Sequence, residues 1–311
     1  MMEVLHEDKG ENWVLYNGDS CEVMKGIPDN SVHFSVFSPP FSSLYTYSNS
    51  DRDLGNSKDD ATFFEHFDFI VKELYRILMP GRNISIHCMN LPTSKERDGY
   101  IGIKDFRGDI IREFQKNGFI YHSEVCIWKN PVTAMQRTKA LGLLHKQIKK
   151  DSCMSRMGIP DYIVTMQKPG DNPERVTHTN ETFPVNEWQN VASPIWDELN
   201  SPVWWDINQS DTLNGANCKE DDDERHICPL QLPVIERCIK LWSNEGDIVF
   251  TPFAGIGSEV YQAVKMNRRG IGIELKKAYY DQAVKNLKAI EFDKAQPTIF
   301  DFMNTPESEQ T

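Results

Sequence analysis

The sequence predicts an α/β fold organised around a β-α-β unit, and two observations carry this. Over the first third of the chain, and again after His226, short β-prone runs alternate with helically spaced apolar stretches, the pattern of a sheet covered by helices. Near the end, a strand candidate over residues 247–253 runs into Ala254-Gly255-Ile256-Gly257, a helix follows, and the next strand candidate ends on Glu274. The 311 residues, 39% hydrophobic and 26% charged, suffice for one large domain or two small ones with ample core.

The elements follow in order. Residues 13–16 read as a strand leading into Asn17-Gly18-Asp19. Residues 32–37 are a β-prone run that stops at Ser38-Pro39-Pro40-Phe41, because two prolines cannot continue a central strand. Residues 61–79 carry Phe63, Phe67, Ile70, Val71, Leu74 and Ile77 at helical spacing, ended by Pro80-Gly81. A strand is expected over 83–88, a helix capped by Asp105 and ending near Gly118, and a further strand over 119–128. From about 130 to 205 the periodicity fades, and that length without pattern points to an inserted subdomain or functional surface. Regular character returns with a helix over 230–242 that tolerates Pro233 in its first turn, the strand 247–253, a helix over 258–267, a strand over 270–274 and a terminal helix over 279–290.

Composition narrows the class of function. No run approaches the ~18 apolar residues of a membrane span, and the first residues lack the basic and apolar regions of a secretory signal. Seven cysteines without a CxxC spacing argue against a disulfide scaffold or zinc module and fit a reducing cytoplasm. The acidic run 220–224 reads as a solvated loop, and no metal is expected. The net charge of −12 hides an asymmetry: residues 129–168 hold eight Lys or Arg against two Asp, whereas residues 171–224 hold thirteen acids against two bases. Phosphate binding answers to local potential, so the basic stretch is a candidate nucleic-acid face or else a solvated loop.

The chemistry-bearing residues fall into two groups. Gly255 and Gly257 let the backbone approach a ligand, and Glu274, 19 residues beyond Gly255, sits where a carboxylate accepts both ribose hydroxyls. Val260 stands where a dinucleotide fingerprint has a third glycine, which turns the reading from NAD towards S-adenosylmethionine. Phe253, Ala254, Gly255, Gly257 and Ser258 form the expected cofactor turn, and Asp19 is a candidate acceptor for the adenine amino group. In the second group, the Ser38 hydroxyl oxygen and Pro39 carbonyl offer two acceptors for the hydrogens of an exocyclic base amino group. Pro39 and Pro40 hold those acceptors rigid, and Phe41 offers a face for a flipped base.

Together, Ser38 to Phe41, the patternless stretch and the late Phe253-x-Gly-x-Gly motif resemble the β group of DNA amino-methyltransferases, the N4-cytosine and N6-adenine family, over roughly residues 12–292. The resemblance implies a Rossmann-like class I methyltransferase fold with a circularly permuted mixed sheet and helices on both faces. It divides the chain into a catalytic half (1–129), a target-recognition region (130–205), a cofactor-binding half (206–294) and a polar tail (295–311). It implies S-adenosylmethionine as cofactor and DNA as partner, with methyl transfer in line to a flipped base. Serine in the first motif position leans towards cytosine N4, and adenine N6 stays open. Under the resemblance Lys129, Arg137, Lys139, Lys146, Lys149, Lys150 and Arg156 contact DNA, and a homodimer or a cognate restriction enzyme stays open as partner. One departure is Thr251, where the family often has Asp before Pro-Phe. A DNA-binding module with a vestigial cofactor pocket is the competing reading, while a nicotinamide oxidoreductase explains neither Val260 nor the Ser-Pro-Pro-Phe loop.

Overall fold

The structure, a computed structural model, describes residues 4–41, 60–93, 95–130, 149, 153, 158–192, 203–214 and 229–296. The chain opens with β1 (His6–Lys9), β2 (Trp13–Asn17), α1 (Ser20–Met24), β3 (Phe34–Phe37), α2 (Asp60–Ile77) and β4 (Asn83–Met89). The small pair β5 (Leu91–Pro92) and β6 (Ile103–Lys104) brackets α3 (Lys95–Asp98), and α4 (Phe106–Lys116), β7 (Ile120–Ile127) and β8 (Asp161–Gln167) follow. The remaining elements are α5 (Val185–Ala192), β9 (Val203–Trp204), α6 (Leu232–Trp242), β10 (Ile248–Thr251), α7 (Ser258–Lys265), β11 (Arg269–Glu274) and α8 (Lys277–Ala295).

Among the described residues nine strands form one mixed sheet in the order β1-β2-β11-β10-β3-β4-β8-β7-β9. The run from β2 to β4 is parallel, β1 pairs antiparallel with β2, and β8 runs antiparallel between β4 and β7. The late strand β10 therefore lies at the centre against the early strand β3, which is the permuted sheet the motif order implied.

Alternation along the strands sends side chains to opposite faces, and helices cover both. Phe37, Ile84, Ile86, Val164 and Phe250 pack with Phe63, Phe67, Leu74 and Phe114 of α2 and α4. Phe34, Val36, Ile163 and Val249 pack with Val234, Ile235 and Ile239 of α6. A third cluster joins Trp13 and Leu15 to Val260, Val264, Tyr280 and Leu287 of α7 and α8. As expected, Asp105 caps α4, its carboxylate accepting from Gly108 N at 3.1 Å.

Three expectations need revision. Residues 161–167, inside the stretch read as patternless, are β8, an interior strand of the sheet paired along its whole length with β4. Buried on both sides, Ile163-Val164-Thr165-Met166 shows no polar alternation, and the polar composition around it masked the run. The helix expected from 230 starts at Leu232 behind Gln231, with Pro233 in its first turn, and the terminal helix runs to Ala295. The edge strand β1 and the five-residue helix α1 are too short to carry a periodic signal.

Candidate active site

The topology creates the site. From β10 the chain passes through α7 to β11 on one side of the sheet centre; from β3 it passes through α2 to β4 on the other. Loops leaving the carboxyl ends of two neighbouring parallel strands thus diverge and leave a crevice at the topological switch point. The Ser38–Phe41 loop and the Phe253–Gly257 turn are these two loops, joined at their base by the Phe37 and Phe253 rings, 5.7 Å apart.

On the glycine side, Gly255 and Gly257 have φ of +52° and +88°, backbone states that disfavour any side chain. Gly255 N donates to Glu274 Oε2 at 2.7 Å, and Lys276 N donates to Oε1 at 2.8 Å, so one carboxylate ties the turn to the end of β11. Asn17, opposite Glu274 in the β2–β11 register, donates through Nδ2 to the Glu274 carbonyl at 2.8 Å. Among the described residues nothing lies within 4 Å of where a Cβ on Gly255 would stand, and none gives the buried Ser258 Oγ a hydrogen-bond partner. An open approach to backbone, an orphaned hydroxyl and an anchored carboxylate fit a nucleoside-bearing cofactor. The missing third glycine has a structural counterpart: Val260 packs onto Gly272 of β11, where a Cβ would meet Val260 Cγ2 at 2.9 Å. The close helix-to-strand approach is made by glycine on the strand, not on the helix.

Three residues on this side behave differently from their neighbours. Asp19 is the N-cap of α1, its Oδ1 accepting from Cys21 N at 2.8 Å. Thr251, at the family's departure point, is fully buried, and its hydroxyl accepts from Phe253 N at 3.4 Å. Glu259, in the first turn of α7, is 4% exposed, and burial pushes its carboxyl up to about 8.

On the other side, Ser38 Oγ lies 3.0 Å from His87 Nδ1 of β4, and His87 Nε2 lies 3.0 Å from Asp161 Oδ2 at the start of β8. Lys129, just beyond β7, ion-pairs with the same Asp161 oxygen. Burial alone raises the Asp161 carboxyl, but the Lys129 ammonium and His87 outweigh it and hold it below its ordinary value. The Phe41 ring packs beside His87 and edge-on to Phe106, with centroids 6.0 and 6.1 Å away. Sequence reading missed His87 and Asp161. The available signal was a histidine as the one ionisable imidazole in a short β-prone run, and an acid opening another.

Of the expected DNA-contacting cations, Lys129 is turned inward onto Asp161 and Lys149 is exposed. Arg137, Lys139, Lys146, Lys150 and Arg156 lie outside the described residues. Lys168, counted in the basic stretch, is buried and donates to Asn30 Oδ1 and the Leu78 carbonyl, so it leaves that surface. A group of His33, Glu174 and Asp247 has ligand atoms within 4.8 Å of one another at the opposite end of the sheet, with Arg82 paired to Asp247. Among the described residues no helix is long and apolar enough to cross a membrane.

Comparison with known proteins gives the family and the fold. The sequence model of a family described as DNA methylase matches residues 32–285. The type II methyltransferase M.BglII of Bacillus subtilis is 24% identical over 275 residues, covering 88% of this chain and 68% of that one. A Thermus thermophilus protein described as a putative DNA modification methylase, solved with S-adenosyl-L-methionine, superposes with a TM-score of 0.62 at 24% identity, covering 89% of this chain and 95% of that one. The cytosine-N4-specific PvuII DNA methyltransferase superposes with a TM-score of 0.63 at 16% identity, covering 93% and 94%.

Proposed function

The chain belongs to the N6/N4 DNA methylase family, and from that premise we propose that it methylates the N4 amino group of cytosine on a base flipped out of duplex DNA. What supports this reading most is the placement of the Ser38-Pro39-Pro40-Phe41 loop and the glycine turn on adjacent parallel strands at the switch point. S-adenosylmethionine, the cofactor of this family, supplies an electrophilic sulfonium methyl when bound. The chain's own residues do the rest. The Glu274 carboxylate, already oriented by two backbone amides, accepts the ribose hydroxyls, and the Asp19 oxygen outside the cap bonds accepts from the adenine amino group. Gly255 and Gly257 keep the turn's backbone close to the ligand, and the Ser258 hydroxyl finds there the partner it lacks.

An exocyclic amino group is a poor nucleophile because its lone pair is delocalised into the ring. The Ser38 oxygen and Pro39 carbonyl bind its two hydrogens and favour a pyramidal nitrogen with its lone pair exposed. Preorganised acceptors need no rearrangement as charge develops, which is where electrostatic catalysis gains most. Phe41, held by His87 and Phe106, stacks on the flipped base. The cations of the basic segment other than Lys129 and Lys168 hold phosphates, and the type II name of M.BglII extends the reading to a cognate restriction enzyme.

Nucleoside mass spectrometry on unmethylated DNA incubated with the protein and S-adenosylmethionine tests the reading. N4-methylcytosine is the expected product. N6-methyladenine keeps the chemistry and reassigns the base, and no methylated base on duplex or single-stranded DNA overturns the assignment.

A further inference from the structure

Ser38, His87, Asp161 and Lys129 form a continuous chain of polar contacts running from the crevice into the sheet. His87 is 7% and Asp161 1% exposed, and they come from neighbouring antiparallel strands, with Asp161 opposite Met89 in the register. Burying such a pair adds little stability that apolar side chains would not supply, so its presence calls for another role. Its hydrogen-bond polarity follows from chemistry. Asp161 is an acceptor, so His87 Nε2 carries the hydrogen, and in the neutral form of the ring, the form the relay uses, Nδ1 is left with a lone pair. The Ser38 hydroxyl must then donate to Nδ1, which turns the remaining Oγ lone pairs outward as acceptors. Among the described residues the charged groups facing the ring are Asp161 from β8 and, through it, Lys129; Phe41 and Phe106 pack the ring's neighbourhood with uncharged surface.

We propose that Ser38, His87 and Asp161 are a proton relay for the target amino group, with His87 the positioning residue that fixes the Ser38 hydroxyl and then takes up its proton. The proposal rests on the methyltransferase reading above and extends it to two residues outside the Ser-Pro-Pro-Phe loop. The step balances. The amino lone pair forms the new N–C bond while the methyl–sulfur bond breaks, its electron pair staying on sulfur as the sulfonium becomes a neutral thioether. The nitrogen, now cationic, gives one hydrogen to Ser38 Oγ as the Ser38 proton passes to His87 Nδ1. The positive charge comes to rest on an imidazolium held against Asp161, and the proton leaves to solvent before the next turnover. Lys129 keeps Asp161 ionised before the reaction, so the proton stops at His87.

Two measurements on the full chain test this. Nitrogen-15 NMR of labelled histidine reads the tautomer directly: Nε2–H is expected for His87, with an Nδ1 resonance that moves in Ser38→Ala. An Nδ1–H tautomer in the wild type overturns the relay without reference to activity. Single-turnover methylation is then followed against pH. His87→Asn is expected to be slower by ~10²–10⁴-fold, with a pH profile that differs from the wild type's and S-adenosylmethionine affinity by calorimetry retained. A His87→Asn protein with the wild-type rate, or a slow one that keeps the wild-type pH profile, marks the residue as structural and overturns the proposal. A wild type that methylates no DNA instead overturns the methyltransferase reading, and the relay's substrate with it.

Discussion

Gly255 and Glu274, 19 residues apart, are joined by a 2.7 Å hydrogen bond from the glycine amide to the carboxylate. The spacing that pointed to a ribose contact thus also builds the turn. Glu274→Ala is expected to weaken S-adenosylmethionine binding by about 1.5–3 kcal/mol, the range for hydrogen bonds to a charged group. Calorimetry checks this, and unchanged affinity removes Glu274 from the cofactor site.

Ser38→Ala and Phe41→Ala separate chemistry from cofactor uptake. Loss of the preorganised Ser38 acceptor is expected to lower kcat by about 10²–10³-fold. Loss of the Phe41 ring removes base stacking worth about 1–3 kcal/mol. Both variants should bind S-adenosylmethionine as the wild type does, and wild-type turnover in both refutes their assigned roles.

DNA affinity should fall steeply with salt despite the acidic net charge, because local potential governs phosphate contacts. Each phosphate-binding cation contributes about 0.9 to the slope of log affinity against log salt. Lys149→Ala and Arg137→Ala are each expected to reduce that slope by about this amount; slopes equal to the wild type's would place both residues away from DNA.

At the far end of the sheet Arg82 is buried, donating to the His33 carbonyl at 2.7 Å and the Glu174 carbonyl at 2.8 Å while paired with Asp247. Removing one partner leaves a buried charge uncompensated. Asp247→Ala is expected to cost about 3–5 kcal/mol in urea unfolding; a change below ~1 kcal/mol would show that the pair is solvated.

Glu259 gives stability a pH dependence opposite to that of an ion-paired acid. Its carboxyl moves from an ordinary 4.5 to about 8 on folding because burial disfavours the charge. Between those values the folded chain holds a proton that the unfolded chain has released. Its contribution is therefore fully present below pH 4.5 and is lost as pH rises through about 8. Glu259→Gln should flatten this decline in thermal melts between about pH 5 and the folded value of about 8, and an unaltered profile would assign the slope to other groups.

Much of the fold was legible because its signals are local. The Phe63–Ile77 stripe, the Asp105 cap and the glycine turn each announce themselves within a few residues, and the structure has all three. β8 was illegible for the opposite reason: a strand buried on both sides has no alternation to read. Asp19 shows a further limit, since a carboxylate at a strand end followed by a short helix serves as a cap whatever else it binds.

The sequence by itself determined the alternation of strand and helix, the composition of the two loops and the order of the motifs, all properties of neighbouring residues. Only the tertiary structure decided that the late β10 lies against the early β3, and that His87 meets Asp161 across 74 residues of chain. Those relationships depend on which strands pair and in what register. Pairing is settled by burial of whole faces against the covering helices, a condition that no local stretch of sequence carries.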